Sequence, residues 1–363
     1  MVMLSNGKNK LELVRLNLSL ELLTLQRLEV SPSSSAAAGN GGLSMKSKER
    51  IMQIKRKKIS YFMCPEPAKN WVDIVSVPLM MAYVTRYFFG TDKLRPNAFA
   101  VRGFNGVTTG VIHCDDMAIL SQWLKCITDN ILRLTQMQIK LYKRIFALGE
   151  QIEYMGWLNK GLISKYFWSK GSKPRFLIIK GTEVMLFDSP PMNSPGLSKL
   201  KVAYKVYHTI FRVVKESDTV DSRQHCFLLH NLGHKPQYLS VETPQELLRI
   251  ENSWITSIIN LARKTFAVKY HEKRGVFVVD WQNGFSLTEG ADATIVWQYK
   301  FSQLRGSSDD GKSKLKLNFQ IHGKKAIETK ELECQVVQSL LFCTYAFYRA
   351  KIACISREPR INQ

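Results

Sequence analysis

The stretch that decides the fold is Tyr154–Gly181, YMGWLNKGLISKYFWSKGSKPRFLIIKG. Its first residues alternate between apolar and polar side chains, and an apolar run follows at Phe176–Ile179. Between these parts lies a loop rich in glycine, serine and lysine, so the pattern predicts a β-hairpin with a long basic loop. The stretch has no acidic residue, and cations crowded on one loop make a focused positive field. These cations are Lys160, Lys165, Lys170, Lys173, Arg175 and Lys180.

The same hairpin resembles the opening of a pleckstrin-homology (PH) domain. The resemblance rests on Gly156-Trp157-Leu158, Lys160-Gly161 and the later Lys173 and Arg175. In PH domains that bind phosphoinositides, these basic residues hold the headgroup phosphates through charge-assisted hydrogen bonds. The alternative is a PH domain that binds lipid weakly or not at all. The resemblance implies an anionic-lipid site formed by Lys160, Lys170, Lys173 and Arg175.

Composition limits the class of protein and the class of partner. The chain has 363 residues, which is enough for two or three domains. A hydrophobic content of 45%, with 10% aromatic residues, can supply real cores and argues against global disorder. The net charge of +22 indicates an anionic partner: a membrane surface, nucleic acid or an acidic protein. The competing interpretation is that much of this charge is solvated surface.

The cysteines and the apolar runs indicate the compartment. The seven cysteines form no CxxC pair and lie mostly in apolar runs, which favours reduced, buried thiols in a cytosolic protein. No stretch has about 18 uncharged apolar residues, so no transmembrane helix is expected. A signal peptide is not expected either, because Glu12, Arg15 and Glu21 interrupt the apolar residues near the N-terminus.

The N-terminal segment Lys10–Val30 carries two overlapping periodicities. Leu16 and Leu18 alternate with polar residues, as in a strand, whereas a period near 3.6 also fits a helix; we favour strands. Residues 31–42 are rich in serine, alanine and glycine and predict a flexible linker. The basic run Lys46–Lys58 is interpreted as part of that linker, with a nuclear signal or a membrane-facing patch as alternatives.

Two segments end in the same way, as strand, turn, strand and capped helix. In the first segment, Asp115 and Asp116 offer the N-cap. In the second, Thr243–Glu246 is a capping box with proline at the first helical position. Each helix has a tryptophan on its apolar face, Trp123 and Trp254. This recurrence predicts an internal structural repeat.

The C-terminal part, from about Lys264, predicts several strands, a turn at Ser307–Gly311 and a final helix from near Thr329 to Ile355. The middle of that helix is apolar around most of its circumference. One face would pack on the sheet of its own unit, and the rest would be buried against another domain or form a partner-binding surface. The candidate partner-binding residues are Leu340, Leu341, Phe342, Tyr345, Phe347 and Tyr348.

Several motifs resemble the syntrophin family, and its gamma members in particular. The longest is Phe301–Lys314, FSQLRGSSDDGKSK. The others are Phe187–Pro191, Arg223–Phe227 and Tyr238–Glu242, and the resemblance covers roughly residues 70–355. It implies a cytoplasmic adaptor in which a PDZ domain splits the first PH domain, a second PH domain follows, and a region unique to syntrophins comes last.

The expected fold class is α+β, mostly β, with tandem PH-like domains, each an antiparallel β-sandwich or barrel closed by a C-terminal helix. A β-rich C-terminal unit, unique to syntrophins, would end in a long helix. The predicted domains are a split PH-like domain at 10–30 and 71–135, a PH domain at 150–262 and the C-terminal unit at 264–355. Residues 31–70 are predicted to be a flexible basic linker in the place of the PDZ domain. They are too few for that domain and lack its G-L-G-F-type carboxylate-binding loop.

The resemblance implies a non-enzymatic scaffold of the dystrophin-associated protein complex. Its expected partners are a dystrophin or dystrobrevin family protein and an anionic membrane surface, with the actin cytoskeleton as a further candidate. The expected location is the cytoplasm, at the cytoskeleton and the inner face of the plasma membrane. One alternative is a phosphoinositide-dependent membrane module. A second is a nucleic-acid binder, which we disfavour because the sequence lacks an aromatic and basic binding sheet.

Neither catalytic nor metal chemistry is expected. A possible metal cluster lacks the second Cys or Asp that would complete a tetrahedral set, so structural roles are favoured. Its members are His225, Cys226, His230 and His234. Asp309 and Asp310 are interpreted as turn formers rather than as paired carboxylates. The sequence has no G-x-S-x-G, P-loop, G-x-G-x-x-G or HExxH motif, and we expect neither an enzyme nor a cofactor.

Overall fold

The computed structural model describes residues 2–5, 11–29, 70–87, 97–161, 173–198, 200–215, 225–290, 292–321, 323 and 325–355. The described residues form three successive domains, each with a seven-stranded antiparallel sheet followed by a helix. Residues 31–69 of the predicted linker, with the basic run inside them, and Lys170 lie outside the described residues.

The first domain confirms that the N-terminal segment forms strands. Leu16 and Leu25 are buried and lie opposite each other on two antiparallel strands. Ser19 closes the turn between these strands, since its Oγ accepts a hydrogen bond from Leu22 N at 3.0 Å. Asp116 caps the helix through Oδ1, as predicted. The elements are β1 Val2–Ser5, β2 Leu11–Leu18, β3 Leu22–Leu28, β4 Trp71–Pro78, β5 Tyr83–Tyr87, β6 Ala98–Arg102, β7 Val111–His113 and α1 Met117–Ile145.

The second domain contains the basic hairpin. Thr243 caps its helix as predicted, because its Oγ1 accepts a hydrogen bond from Glu246 N at 3.2 Å. Trp254 of that helix is buried, with its ring centroid 5.6 Å from that of Phe211. The elements are β8 Ile152–Lys160, β9 Lys173–Lys180, β10 Glu183–Phe187, β11 Val202–Lys205, β12 Thr209–Val213, β13 His225–Asn231, β14 Gln237–Val241 and α2 Pro244–Leu261, with 3-10 turns at Ser194–Ser198 and Val206–His208.

The third domain corrects the position of a predicted turn. The turn expected at Ser307–Gly311 begins later, because residues 304–309 continue a strand. Asp310 makes the turn, since its Oδ1 accepts hydrogen bonds from three backbone N–H groups at 2.8–2.9 Å. The elements are β15 Arg263–Tyr270, β16 Lys273–Asp280, β17 Gly284–Glu289, β18 Thr294–Tyr299, β19 Leu304–Asp309, β20 Lys314–Gln320, β21 Ile327–Glu333 and α3 Val337–Ile355, with a 3-10 turn at Phe301–Gln303.

The start of the last helix was also predicted wrongly. The sequence favoured a helix from near Thr329, but α3 begins at Val337. The preceding residues, IETKELE, form β21, which pairs with β20 along its whole length. Only Leu332 of this strand is fully buried, so its few apolar residues gave no clear period-2 signal. Hydrogen bonds to the preceding strand decide the conformation here, and local propensity does not reveal them.

All three sheets have the same strand order. In each domain the first strand lies between the second and the seventh, which gives the order 4-3-2-1-7-6-5. The internal repeat predicted from the first two units is confirmed, and the third unit shares it. The C-terminal unit was expected to be a β-rich fold of its own, and it is instead another copy of the same topology. The α+β, mainly β, fold class is confirmed.

The first and second domains share a hydrophobic interface. Met81, in the turn between β4 and β5, and Tyr142 of α1 belong to one buried cluster with Met155 and Phe176 of the second domain. Trp157 adds a polar link, because its Nε1 donates a hydrogen bond to Met81 O at 2.8 Å. The tryptophan of the Gly-Trp-Leu motif therefore contacts the preceding domain.

Helix α3 joins the second and third domains. Leu340 and Phe347 are fully buried, and Phe342 is nearly so, with its ring centroid 5.1 Å from that of His230 in β13. Leu340 and Phe347 belong to one hydrophobic core that spans both domains. All three residues are buried, and the ring of Phe342 contacts the second domain, so in this fold they are not exposed to a partner. The other candidates, Leu341, Tyr345 and Tyr348, are half-buried. No helix in the described parts of the chain is long and apolar enough to cross a membrane.

Candidate anion-binding site

Three of the predicted basic residues meet at the loop end of the β8–β9 hairpin. Lys160, the last residue of β8, pairs with Lys173, the first residue of β9. Arg175 lies two residues further along β9 and therefore on the same face as Lys173. Lys173 is exposed, whereas Lys160 and Arg175 are half-buried. Strand register therefore places three cations at one edge of the second domain.

A fourth cation, Lys201, reaches the site from the residue just before β11. Its Nζ lies 3.2 Å from Oδ2 of Asp188, and Oδ1 of the same carboxylate lies 2.8 Å from Nη1 of Arg175. Arg175 also donates to the carbonyl of Pro174 at 2.8 Å. One carboxylate thus orients two of the four cations, and the group keeps an excess of positive charge.

Burial and the neighbouring positive charges disfavour the protonated form of Lys160. Burial, followed by the positive charges of Arg175 and Lys201, lowers the pKa of Lys160 below its usual value. An opposite charge close to Lys160 would favour its protonated form. An anion bound here would therefore reduce the repulsion among the four cations.

The four cations line an open cavity of about 280 Å³. Leu186 and Val202 form its apolar wall. Gly161, with a φ of +104°, turns the chain away from β8 in a conformation that favours glycine. Its N–H donates to Tyr238 O at 2.9 Å, which ties the rim of the cavity to β14. A guanidinium and three ammonium groups around one cavity are suited to phosphate oxygens.

Sequence reasoning did not identify Lys201 or Asp188. A proline-rich loop separates Asp188 from Lys201, and the pairing of Leu186 with Val202 brings the two residues together beside the hairpin. The available signal was an acid and a base at the two ends of this loop, and that signal is weak without the pairing. Lys170, the fourth predicted residue, lies outside the described residues.

The histidines that suggested a metal site have aromatic neighbours instead. The ring of His230 contacts Phe342, and that of His234 lies 5.8 Å from Tyr204. Cys226 is buried in the core of the second domain. Within the described ranges, no group of three or more His, Cys, Asp or Glu side chains could hold a metal ion.

The repeated seven-stranded sheet with its closing helix defines the class of protein. A protein-family model described as the syntrophin C-terminal PH domain matches residues 260–356, which contain the third domain. Because the first two domains have the same strand order and the same C-terminal helix, the chain is built from tandem PH-type domains. The C-terminal PH domain of human pleckstrin, a solved structure, is 14% identical and covers 30% of this chain and 80% of its own, with a TM-score of 0.24.

Relatives identify the family. Human gamma-1-syntrophin is 34% identical over 291 residues, which cover 79% of this chain and 56% of that protein. Mouse gamma-2-syntrophin is 34% identical over 312 residues, which cover 80% of this chain and 58% of that protein. The chain belongs to the syntrophin family. It spans little more than half the length of these relatives.

Proposed function

We propose that this chain is a non-enzymatic adaptor that binds an anionic membrane surface through the second domain and a protein partner through its C-terminal half. The observation that carries the membrane part is the cavity of four cations in which Lys160 has a lowered pKa. Headgroup phosphates are the membrane ligands whose charge and geometry suit it. The proposed location is the cytoplasm, at the inner face of the plasma membrane and the cytoskeleton.

Vesicle sedimentation tests the membrane part. The variant Lys160→Gln, Lys173→Gln, Lys201→Gln removes three cations and keeps Arg175, which is bound to Asp188. Each basic residue near an anionic surface contributes about 1 kcal/mol. Loss of three should therefore lower the affinity for vesicles containing phosphatidylinositol bisphosphate by roughly a hundredfold.

A matched control removes three exposed cations of the third domain, by Lys273→Gln, Arg274→Gln and Lys312→Gln. Both variants lose the same net charge, so a general surface-charge effect would weaken them equally. The cavity is the binding site only if its variant loses clearly more affinity than the control. Equal losses would leave membrane attraction to the whole charged surface and remove the cavity from the proposal.

For the protein partner, we propose a dystrophin or dystrobrevin family protein, with the actin cytoskeleton as a secondary candidate. The buried residues of α3 cannot be its contact surface in this fold. The exposed end of α3 borders a groove of about 240 Å³ between the second and third domains, lined in part by Arg212, Glu251, Trp254, Arg349 and Ile352. Its lining is mainly apolar, with two arginines against one glutamate, and such a groove suits an amphipathic acidic segment.

A pull-down with a dystrobrevin C-terminal fragment tests this docking site. Arg349→Glu with Ile352→Asp should abolish capture, whereas the same changes at the exposed Lys273 and Ile295 should leave it intact. Capture that survives the groove variant would move the partner to another surface. A gel shift without retardation of DNA or RNA would support the expectation that nucleic acid is not a partner.

A further inference from the structure

Helix α1 is longer than the core of its own domain requires. Leu134 is its last residue in the buried cluster of the first domain. Beyond this point one face of the helix contacts the second domain through Ile139, Tyr142 and Phe146. Lys143 adds a polar contact, with its Nζ 3.0 Å from Oε2 of Glu153. The distal half of α1 is therefore held firmly on its inner side.

The outer side of this distal half carries an exposed apolar stripe. Met137 is 57% exposed, Leu141 52% and Ile145 68%. Because residues four apart lie on the same face of a helix, these three side chains form one line. Leu148, in the turn that follows the helix, is 90% exposed. We call these four residues the outer ridge.

Cations accompany the outer ridge along one flank. Arg133, Lys140 and Arg144 are exposed and, at about 100° per residue, lie within about 40° of one another around the helix. No acidic residue occurs between Asp129 and Glu150. Among the residues that the structure describes, none forms an ion pair with these three cations. The distal half of α1 thus presents an amphipathic, cationic face to solvent.

We propose that the outer ridge is a contact site for an anionic phospholipid bilayer, with α1 lying in the plane of the interface. Basic residues beside a row of Leu, Ile and Met side chains are the features of helices that bind in this way. The long stems of Lys140 and Arg144 can lie along the acyl boundary while their charges stay among the headgroups. The negative charge of the lipid complements a helix face without acids.

The spacing of the outer ridge favours a bilayer over an acidic helical protein. Its three helical residues, Met137, Leu141 and Ile145, are each four positions apart, whereas a coiled-coil seam alternates three and four. The ridge lies on the outer side of one helix, and a fluid lipid surface conforms to such a convex face.

The outer ridge is separate from the cavity of the second domain. The end of α1 contacts the start of β8 near Glu153, whereas the cavity lies at the opposite end of that strand, at Lys160. Seven residues of extended strand separate these positions by about 23 Å. The proposal does not require a phosphoinositide headgroup, and so it goes beyond the proposed function of the cavity.

Sedimentation of the full chain with vesicles tests the outer ridge. The vesicles contain phosphatidylcholine with about 30% phosphatidylserine and no phosphoinositide. Met137→Ser, Leu141→Ser and Ile145→Ser should weaken binding by about tenfold or more, because apolar burial is part of interfacial affinity. The matched control, Ile295→Ser, Val296→Ser and Ile327→Ser, changes three equally exposed apolar residues of the third domain and should stay within about twofold of the wild type.

A second variant tests the charges of the same surface. Arg133→Gln, Lys140→Gln and Arg144→Gln should bring binding to phosphatidylserine vesicles close to the level for pure phosphatidylcholine. All six changed positions on α1 are exposed, and an unchanged urea midpoint verifies that each variant is folded.

The possible outcomes are distinct. If the apolar variant binds phosphatidylserine vesicles as the wild type does, the proposal is wrong, and a protein partner would have to account for the ridge. If the ridge variants lose affinity but the cavity variant Lys160→Gln, Lys173→Gln, Lys201→Gln binds phosphoinositide vesicles as the wild type does, the proposed function of the cavity is wrong and the proposal for the outer ridge stands. Loss in the apolar variant together with retention in the control supports the ridge.

Discussion

Phe342 separates two interpretations of α3 by experiment. A partner-binding residue could be truncated with little effect on folding, whereas the structure buries Phe342 against His230 of the second domain. Truncation of a buried phenylalanine costs about 3–5 kcal/mol. Because Phe342 remains slightly exposed, we expect the lower end of this range for Phe342→Ala, about 3 kcal/mol. That loss is a large share of the roughly 5–15 kcal/mol that stabilises a domain.

The assay combines urea denaturation with hydrogen exchange read by mass spectrometry. Phe342→Ala should lower the unfolding midpoint and increase exchange in β13 as well as in α3, since the side chain packs against His230 of β13. Ile355→Ala, at the exposed end of the same helix, should change stability by less than about 0.5 kcal/mol. A loss below about 1 kcal/mol for Phe342→Ala, or faster exchange confined to α3, would refute this contact between the domains.

Three further outcomes follow from single residues. Binding of inositol trisphosphate, measured by calorimetry, should weaken as pH rises through the lowered pKa of Lys160, and a midpoint at or above that of an ordinary lysine would contradict this. In urea denaturation, Gly284→Ala should destabilise the chain by at least about 1 kcal/mol more than Gly290→Ala does. Both glycines have a positive φ, but only at Gly284 would the new Cβ collide with the backbone of a neighbouring strand. Equal losses would contradict this close approach of the two backbones. Burial raises the pKa of Cys343 to about 12, so iodoacetamide at pH 8 should modify exposed Cys126 and spare Cys343 until the chain unfolds.

Local signals in the sequence predicted much of the fold. The alternation around Leu16, the Asp116 cap and the Thr243 capping box each depend on a few neighbouring residues, and each is found in the structure. Where neighbouring residues satisfy the backbone or form one apolar face, the sequence is sufficient to predict the element.

Features that depend on the pairing of strands were not predicted. The strand β21 forms because β20 lies beside it, and Lys201 reaches the cavity because β10 pairs with β11. The apolar circumference of α3 was compatible with either a second domain or an external partner, since composition gives the amount of apolar surface and not what covers it. The choice between them needed the position of Phe342 next to His230.

Comparison of the second and third domains shows why a shared topology does not imply a shared site. At the hairpin position that Lys160 occupies in the second domain, the third has Tyr270. Opposite the residue two positions further inward, the third has Gly275 where the second has Arg175. The third hairpin closes through His271-Glu272, two residues with positive φ, which leaves no long loop beside the sheet. The cation cavity therefore arises from the loops and strand ends of one domain, and substitutions there should change anion binding without changing the sheet that the domains have in common.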